Sequence, residues 1–183
     1  MNRQEAIESI RASVENENLI KHMLATEAIM RSLARHMGED EEEWGLAGLL
    51  HDIDVELTEG DMSSHSKLGA DLARDMGASE AIANAILCHN ETHGVLPETP
   101  MEKALFCSDP LTGLITAAVL VRPDKKIDNL EAKSVRKRFK EKSFAAGAKR
   151  GQIARCTDID LELDEFISIG LEAMKGIAPQ LGL

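Results

Sequence analysis

Apolar residues recur at helical spacing along almost the whole chain. Leu19, Met23, Ile29 and Leu33 mark the buried side of a long helix that Asn18 can cap and that Gly38 can end in a left-handed conformation. Asp40 with Glu43 forms a capping-box pattern ahead of the run from Trp44 to His51. Ser63 or Ser64 is placed to start "HSKLGADLARDM", which Gly77 stops, and Ser79 to start "EAIANAILCH". Thr99-Pro100-Met101-Glu102 combines a cap, a first-turn proline and a box glutamate before "KALFCSD". Pro110 is expected to kink that helix just after Asp109. Beyond Pro123 the pattern predicts three further helices, over about 128–141, 143–156 and 162–175. Alternating β-branched segments and hairpin turn pairs are missing, which predicts no sheet. The expectation is an all-α protein: an N-terminal helix over 1–17, a helical core over 18–121 and a C-terminal helical portion over 122–183 packed on it.

Composition sharpens this picture in three ways. With no tyrosine and one tryptophan, the core must be built mainly from Leu, Ile, Ala and Met. No uninterrupted apolar run approaches the roughly 18–20 residues that span a bilayer, and the polar start "MNRQEAIESIRASVENEN" lacks a signal-peptide segment. Together with three cysteines (Cys88, Cys107, Cys156) that show no C-x-x-C spacing, this predicts a cytoplasmic protein with free thiols, no disulfides and no membrane association.

Net charge is −11, which argues against general nucleic-acid binding. Positive charge is nevertheless concentrated: residues 131–155 hold nine Lys or Arg against two Glu. Such a run is either a solvated helix face or a phosphate-facing surface.

Three apolar runs end in a group that prefers water. His51-Asp52 follows "GLAGLL", His89 follows Ile82 to Leu87, and Asp109 follows "ALFCS". Burying such groups unpaired costs several kcal/mol each, on the order of 2–7 for a neutral polar group. A shared metal removes the penalty, since imidazole nitrogen and carboxylate oxygen are ligands for Zn, Mn or Fe. His22 flanks the stripe of its own helix, and His65 stands at the start of another. His36 reads as a favourable cation at a helix C-terminus.

The order His22, His51-Asp52, Asp109, with "AGLLHDID" around the doublet, resembles the HD-domain superfamily of metal-dependent phosphohydrolases, of HDIG type. The resemblance covers roughly residues 18–121. It implies that His22, His51, Asp52 and Asp109 are metal ligands. His65 in "SHSKLGA" and His89 in "AILCHNE" fall where the binuclear subgroup carries two more histidines, which implies a six-ligand, two-ion centre of Fe, Mn, Zn, Co or Ni with Asp52 bridging. "CHNETHG" is also similar to a fragment of the cyclic-dinucleotide phosphodiesterase motif, but Asn90 replaces its second histidine and no Gly-Tyr-Pro follows. Bacterial HD hydrolases that split diadenosine tetraphosphate are closer in length and ligand set.

The implied activity is hydrolysis of a phosphoester of a nucleotide or another small phosphorylated molecule by a metal-activated hydroxide. Asp52, with Asp54 and Glu56 one turn on, are the candidate catalytic carboxylates, as bases or as groups that orient the site. Lys67, His93, Arg136, Arg138, Lys149 and Arg150 are the candidate substrate contacts. Two other classes share these features: a di-iron oxygenase on the same scaffold, and a non-enzymatic nucleotide-binding module stabilised by metal. A homodimer is compatible with every one of these readings.

Overall fold

A computed structural model describes residues 1–183, and every regular element in it is a helix. In chain order these are α1 (Arg3–Ser13), α2 (Glu17–Met37), α3 (Glu41–Leu50), α4 (Lys67–Asp75), α5 (Glu80–His89), α6 (Pro100–Leu120), α7 (Ala132–Lys140), α8 (Arg150–Ile153), α9 (Leu163–Gly176) and α10 (Ala178–Leu181). Short 3₁₀ turns cover Glu91–His93 and Ala154–Ile159.

Local chemistry explains most boundaries. Ser79 and Thr99 cap α5 and α6 as expected, Thr99 in a full capping box with Glu102. Gly38 ends α2 at φ 74°, a conformation that glycine adopts without a Cβ penalty. Four expectations are corrected. Asn16, not Asn18, caps α2, its Oδ1 accepting from the amides of Asn18 and Leu19. Asp40 caps α3, but Glu43 turns away to accept from the Ser79 hydroxyl, so no reciprocal box forms. Ser63 and Ser64 do not open α4; both hydroxyls bond Asp61, and the helix starts at Lys67. The helix expected over 143–156 is only Arg150–Ile153 with a 3₁₀ continuation. Its first half is a loop whose carbonyls are taken by the Arg150 side chain.

The two longest helices, α2 and α6, pack on each other and form the middle of the bundle, with α3, α5 and α9 against them. α2 and α3 come close enough that a Cβ on Gly48 would lie 2.9 Å from the backbone carbonyl of Thr26. Glycine is therefore required at that crossing. Glu27, almost fully buried, accepts from Arg3 on α1 and Arg31 on its own helix, and Arg31 continues to Glu42 on α3. A buried carboxylate is tolerated here because two guanidiniums surround it.

Ile10 of α1, Leu49 of α3, Leu111 of α6, Val135 of α7 and Phe166 of α9 all belong to one continuous hydrophobic interior. The expectation that no apolar stretch is long enough to span a bilayer is corrected by α6, whose 21 residues have that length and composition. Two-thirds of its most apolar window, 67%, is buried inside the bundle. It is the core helix, and its Asp109 faces the site described next.

Candidate metal centre

Four imidazoles and two carboxylates from α2, α5, α6 and the segment between α3 and α4 meet at one end of the bundle. His22 comes from the second turn of α2, His51 and Asp52 directly follow α3, and His89 is the last residue of α5. Asp109 sits at the middle of α6, where Pro110 removes one intrahelical donor. His65 precedes α4, on a turn whose Ser66 has φ 69°.

Each ring is oriented through its Nδ1. His51 Nδ1 donates to the Gly48 carbonyl at 2.8 Å and His89 Nδ1 to the Ile86 carbonyl at 2.6 Å. His65 Nδ1 donates to Asp54 Oδ1 at 2.8 Å. His22 Nδ1 lies 2.8 Å from Thr112 Oγ1, whose own proton goes to the Asp109 carbonyl at 2.7 Å, so the hydroxyl accepts from the ring. These partners assign the proton to Nδ1 in all four histidines and leave the Nε2 lone pairs facing inward.

The inward side holds acceptors only. His22 Nε2 and His51 Nε2 are 3.1 Å apart. Asp52 Oδ2 lies 3.3 Å and 3.2 Å from them, and Asp109 Oδ1 lies 3.1 Å and 3.8 Å from them. The other oxygen of Asp52, Oδ1, faces His65 Nε2 at 3.5 Å and His89 Nε2 at 3.4 Å. Such a convergence of lone pairs repels itself unless a cation or protons lie among them. Two triads, His22–His51–Asp109 and His51–Asp52–His89, each bring one ligand atom per residue within 4.8 Å of the others, and such N and O donors fit a divalent transition metal.

In the absence of metal, protons take that place. Burial opposes charging His22, but its bonds to Asp109 and Asp52 outweigh this and push it up to about 9. His51 rises for the same reason, against its own burial, under the field of Asp52. Burial pushes Asp52 and Asp109 up, yet the histidines hold both well below the usual carboxylate range.

Asp54 is buried and fully engaged: besides His65 it accepts from the amides of Ser66 at 2.7 Å and Gly69 at 2.8 Å. Burial works against its charge, and the bond to His65 overrides it and holds Asp54 low. It orients a ring instead of standing free as a base. Glu56 points elsewhere, accepting from the amides of Glu15 and Asn16 ahead of α2. His93 Nε2 donates to the His65 carbonyl at 2.6 Å and braces that turn. Asn90 completes the brace, bonding the carbonyls of Met62 and His65.

The mouth of the centre is a cleft of about 240 Å³ whose lining includes Asp52, His65, His89, Asn90 and Asp109 together with Gly147, Lys149 and Gln152. Of the expected cations only Lys149 reaches it. Arg136 pairs with Asp164, Arg138 with Glu141, and Arg150 with backbone carbonyls, while Lys67 stands exposed at the start of α4 outside the lining. A larger groove of about 430 Å³ lies behind His22 against Thr112 and Lys21. It meets the outward side of the ring, away from the ligand atoms. Thr112 and Gln152 escaped sequence reasoning. Thr112, three residues after Asp109, lies on the same helix face and could have been found by that spacing; Gln152 carries no sequence signal.

Residues 19–136 match the HD domain family. The chain is 33% identical over 138 residues to ribonuclease Y of Sulfurovum sp. (strain NBC37-1), covering 73% of this chain and 26% of that protein. It is 31% identical over 116 residues to ribonuclease Y of Lawsonia intracellularis, covering 63% and 21%. Against ribonuclease Y of Aquifex aeolicus it is 32% identical over 117 residues, covering 64% and 19%. The matched segment thus spans about a quarter or less of these relatives.

Proposed function

This chain belongs to the HD-domain family of metal-dependent phosphohydrolases, and from that premise we propose that it hydrolyses a phosphoester of a nucleotide or other small phosphorylated molecule at a centre for two divalent ions. The observation that carries the reading is the two-sided disposition of Asp52, with Oδ2 toward His22 and His51 and Oδ1 toward His65 and His89. His22, His51 and Asp109 would hold one ion and His65 and His89 the other, with Asp52 common to both. Bound there, divalent ions lower the pKa of water and neutralise charge on phosphoryl oxygens.

The chain's own residues do the positioning. Thr112, Gly48, Ile86 and Asp54 fix the four rings as neutral donors of lone pairs. Lys149 brings a positive charge to the cleft that Asp52 and Asp109 also line. A small substrate is supported by the size of the cleft and by the net charge of −11, which disfavours a long polyanion. The free, buried cysteines support a cytoplasmic setting. A second reading, cleavage of RNA, is favoured by the name that the relatives share.

The test is turnover by metal-loaded protein on nucleotides, simple phosphoesters and a short single-stranded RNA. Release of phosphate from a small ester, abolished in Asp52→Ala with helicity kept, is expected. Undiminished turnover in that variant would overturn the assignment. Cleavage of the RNA alone would favour the second reading, and iron-dependent oxygen consumption without phosphate release would move the chain to the oxygenases.

A further inference from the structure

Gln152 is the unexplained residue of the cleft. It is 5% exposed, its side-chain amide makes no hydrogen bond to the protein, and it lines the cleft together with Asp52, His65, His89 and Asp109. The enclosed unpaired side-chain atom of the chain is Ser108 Oγ, so what little of Gln152 is accessible includes its amide. An amide held in place by a buried stem, accessible to the cleft and without a protein partner, is free to bind a ligand. It stands beside Lys149 on a segment that lies beyond the family match at residue 136.

The adjoining loop is built toward the same end. The Arg150 guanidinium collects the carbonyls of Phe139, Phe144, Ala145 and Ala148. The carbonyls of this stretch are therefore turned inward, and the amides of Ala146 and Gly147 carry no internal hydrogen bond. Gly147 lines the cleft with Gln152 and Lys149. Lys149 Nζ rests on Glu91 at 2.7 Å, the neighbour of the cleft residue Asn90. Both partners are about half exposed, so the pair opens readily to a competing anion.

We propose that Gln152 and Lys149, with the Gly147 backbone, form an arm that binds a second anionic group of the substrate, a phosphate other than the one attacked. This rests on the phosphohydrolase reading, because it takes the metal centre as the seat of the first phosphate. The ammonium, the free backbone N–H groups and the NH2 of the amide are donors, which suits phosphate oxygens. The preferred substrate is then a molecule with two phosphate groups, such as a nucleoside diphosphate, over the corresponding monophosphate.

The experiment measures calorimetric affinities of the manganese-loaded protein for orthophosphate, AMP and ADP, in wild type, Gln152→Leu, Gln152→Glu and Lys149→Met. Wild type should hold ADP about tenfold more tightly than AMP, the scale of one charge-assisted hydrogen bond. Each variant should bring ADP close to AMP. Lys149 is exposed, so its variant keeps the test open if a Gln152 variant fails to fold. Orthophosphate binding with no preference for ADP, or a preference that every folded variant retains, would overturn the arm alone. No orthophosphate binding to the loaded wild type would overturn the phosphohydrolase reading and the arm with it.

Discussion

Thr112 touches no ion, yet its hydroxyl decides which nitrogen of His22 is free to bind one. Thr112→Val keeps the shape and removes the acceptor. Metal affinity, measured by competition with a chromophoric chelator, should fall about 10- to 100-fold with helicity intact. The histidines also make the centre, when it is without metal, a proton store. His22 is raised to about 9, so its contribution to metal-free stability is complete below about 6.5 and is lost as pH rises through 9. The midpoint of thermal unfolding of metal-free protein should therefore decline between those values. Metal uptake at pH 7.5 should release protons, read as a heat that changes with the ionisation enthalpy of the buffer. The inward-facing groups were legible because apolar runs ended in His51-Asp52, His89 and Asp109. The supports were not: Glu56 finds its partners 41 and 40 residues earlier, at the amides of Glu15 and Asn16, and no local pattern announces that.

Helix boundaries were legible where one side chain caps its own helix, as at Ser79 and Thr99, and illegible where a distant group competes. Residues 143–148 have helical composition, but the Arg150 side chain offers their carbonyls a planar fan of donors. Arg150→Lys cannot span that fan. Limited proteolysis with trypsin should then open a new early cut at Lys142, detected by mass spectrometry, while wild type resists there. The crossing of α2 and α3 is set by contact and not by caps. Gly48→Ala forces a methyl onto the Thr26 backbone and should cost about 1–3 kcal/mol, measured by urea unfolding.

For the whole molecule, the sequence showed a basic segment, and the structure shows where its charge goes. Arg136, Arg138 and Arg155 pair with Asp164, Glu141 and Asp158, and Lys133 pairs with Glu131. What reaches the cleft is one lysine on a chain of net charge −11. The concentration of positive residues was visible in the sequence. How much of it is paired depends on which acids fold beside it, and linear order does not give that; Lys137, Lys140 and Lys142 stay exposed without an ion pair. A polyanion should meet repulsion that salt screens. Binding of a fluorescent single-stranded RNA, if measurable, should strengthen from 50 to 200 mM salt, the reverse of the behaviour of a basic nucleic-acid binder.

The bare contact of Gly48 on Thr26 has a consequence for which ion the protein accepts. The Gly48 carbonyl holds His51, and the Thr26 hydroxyl bonds the carbonyl of His22. The spacing of two helices is thereby the jaw opening between two ligands, and a missing methyl group is its gauge. A chain with alanine at that position that still folds would present a wider bite. Its preference should shift along the series of ionic radii, away from zinc and toward manganese.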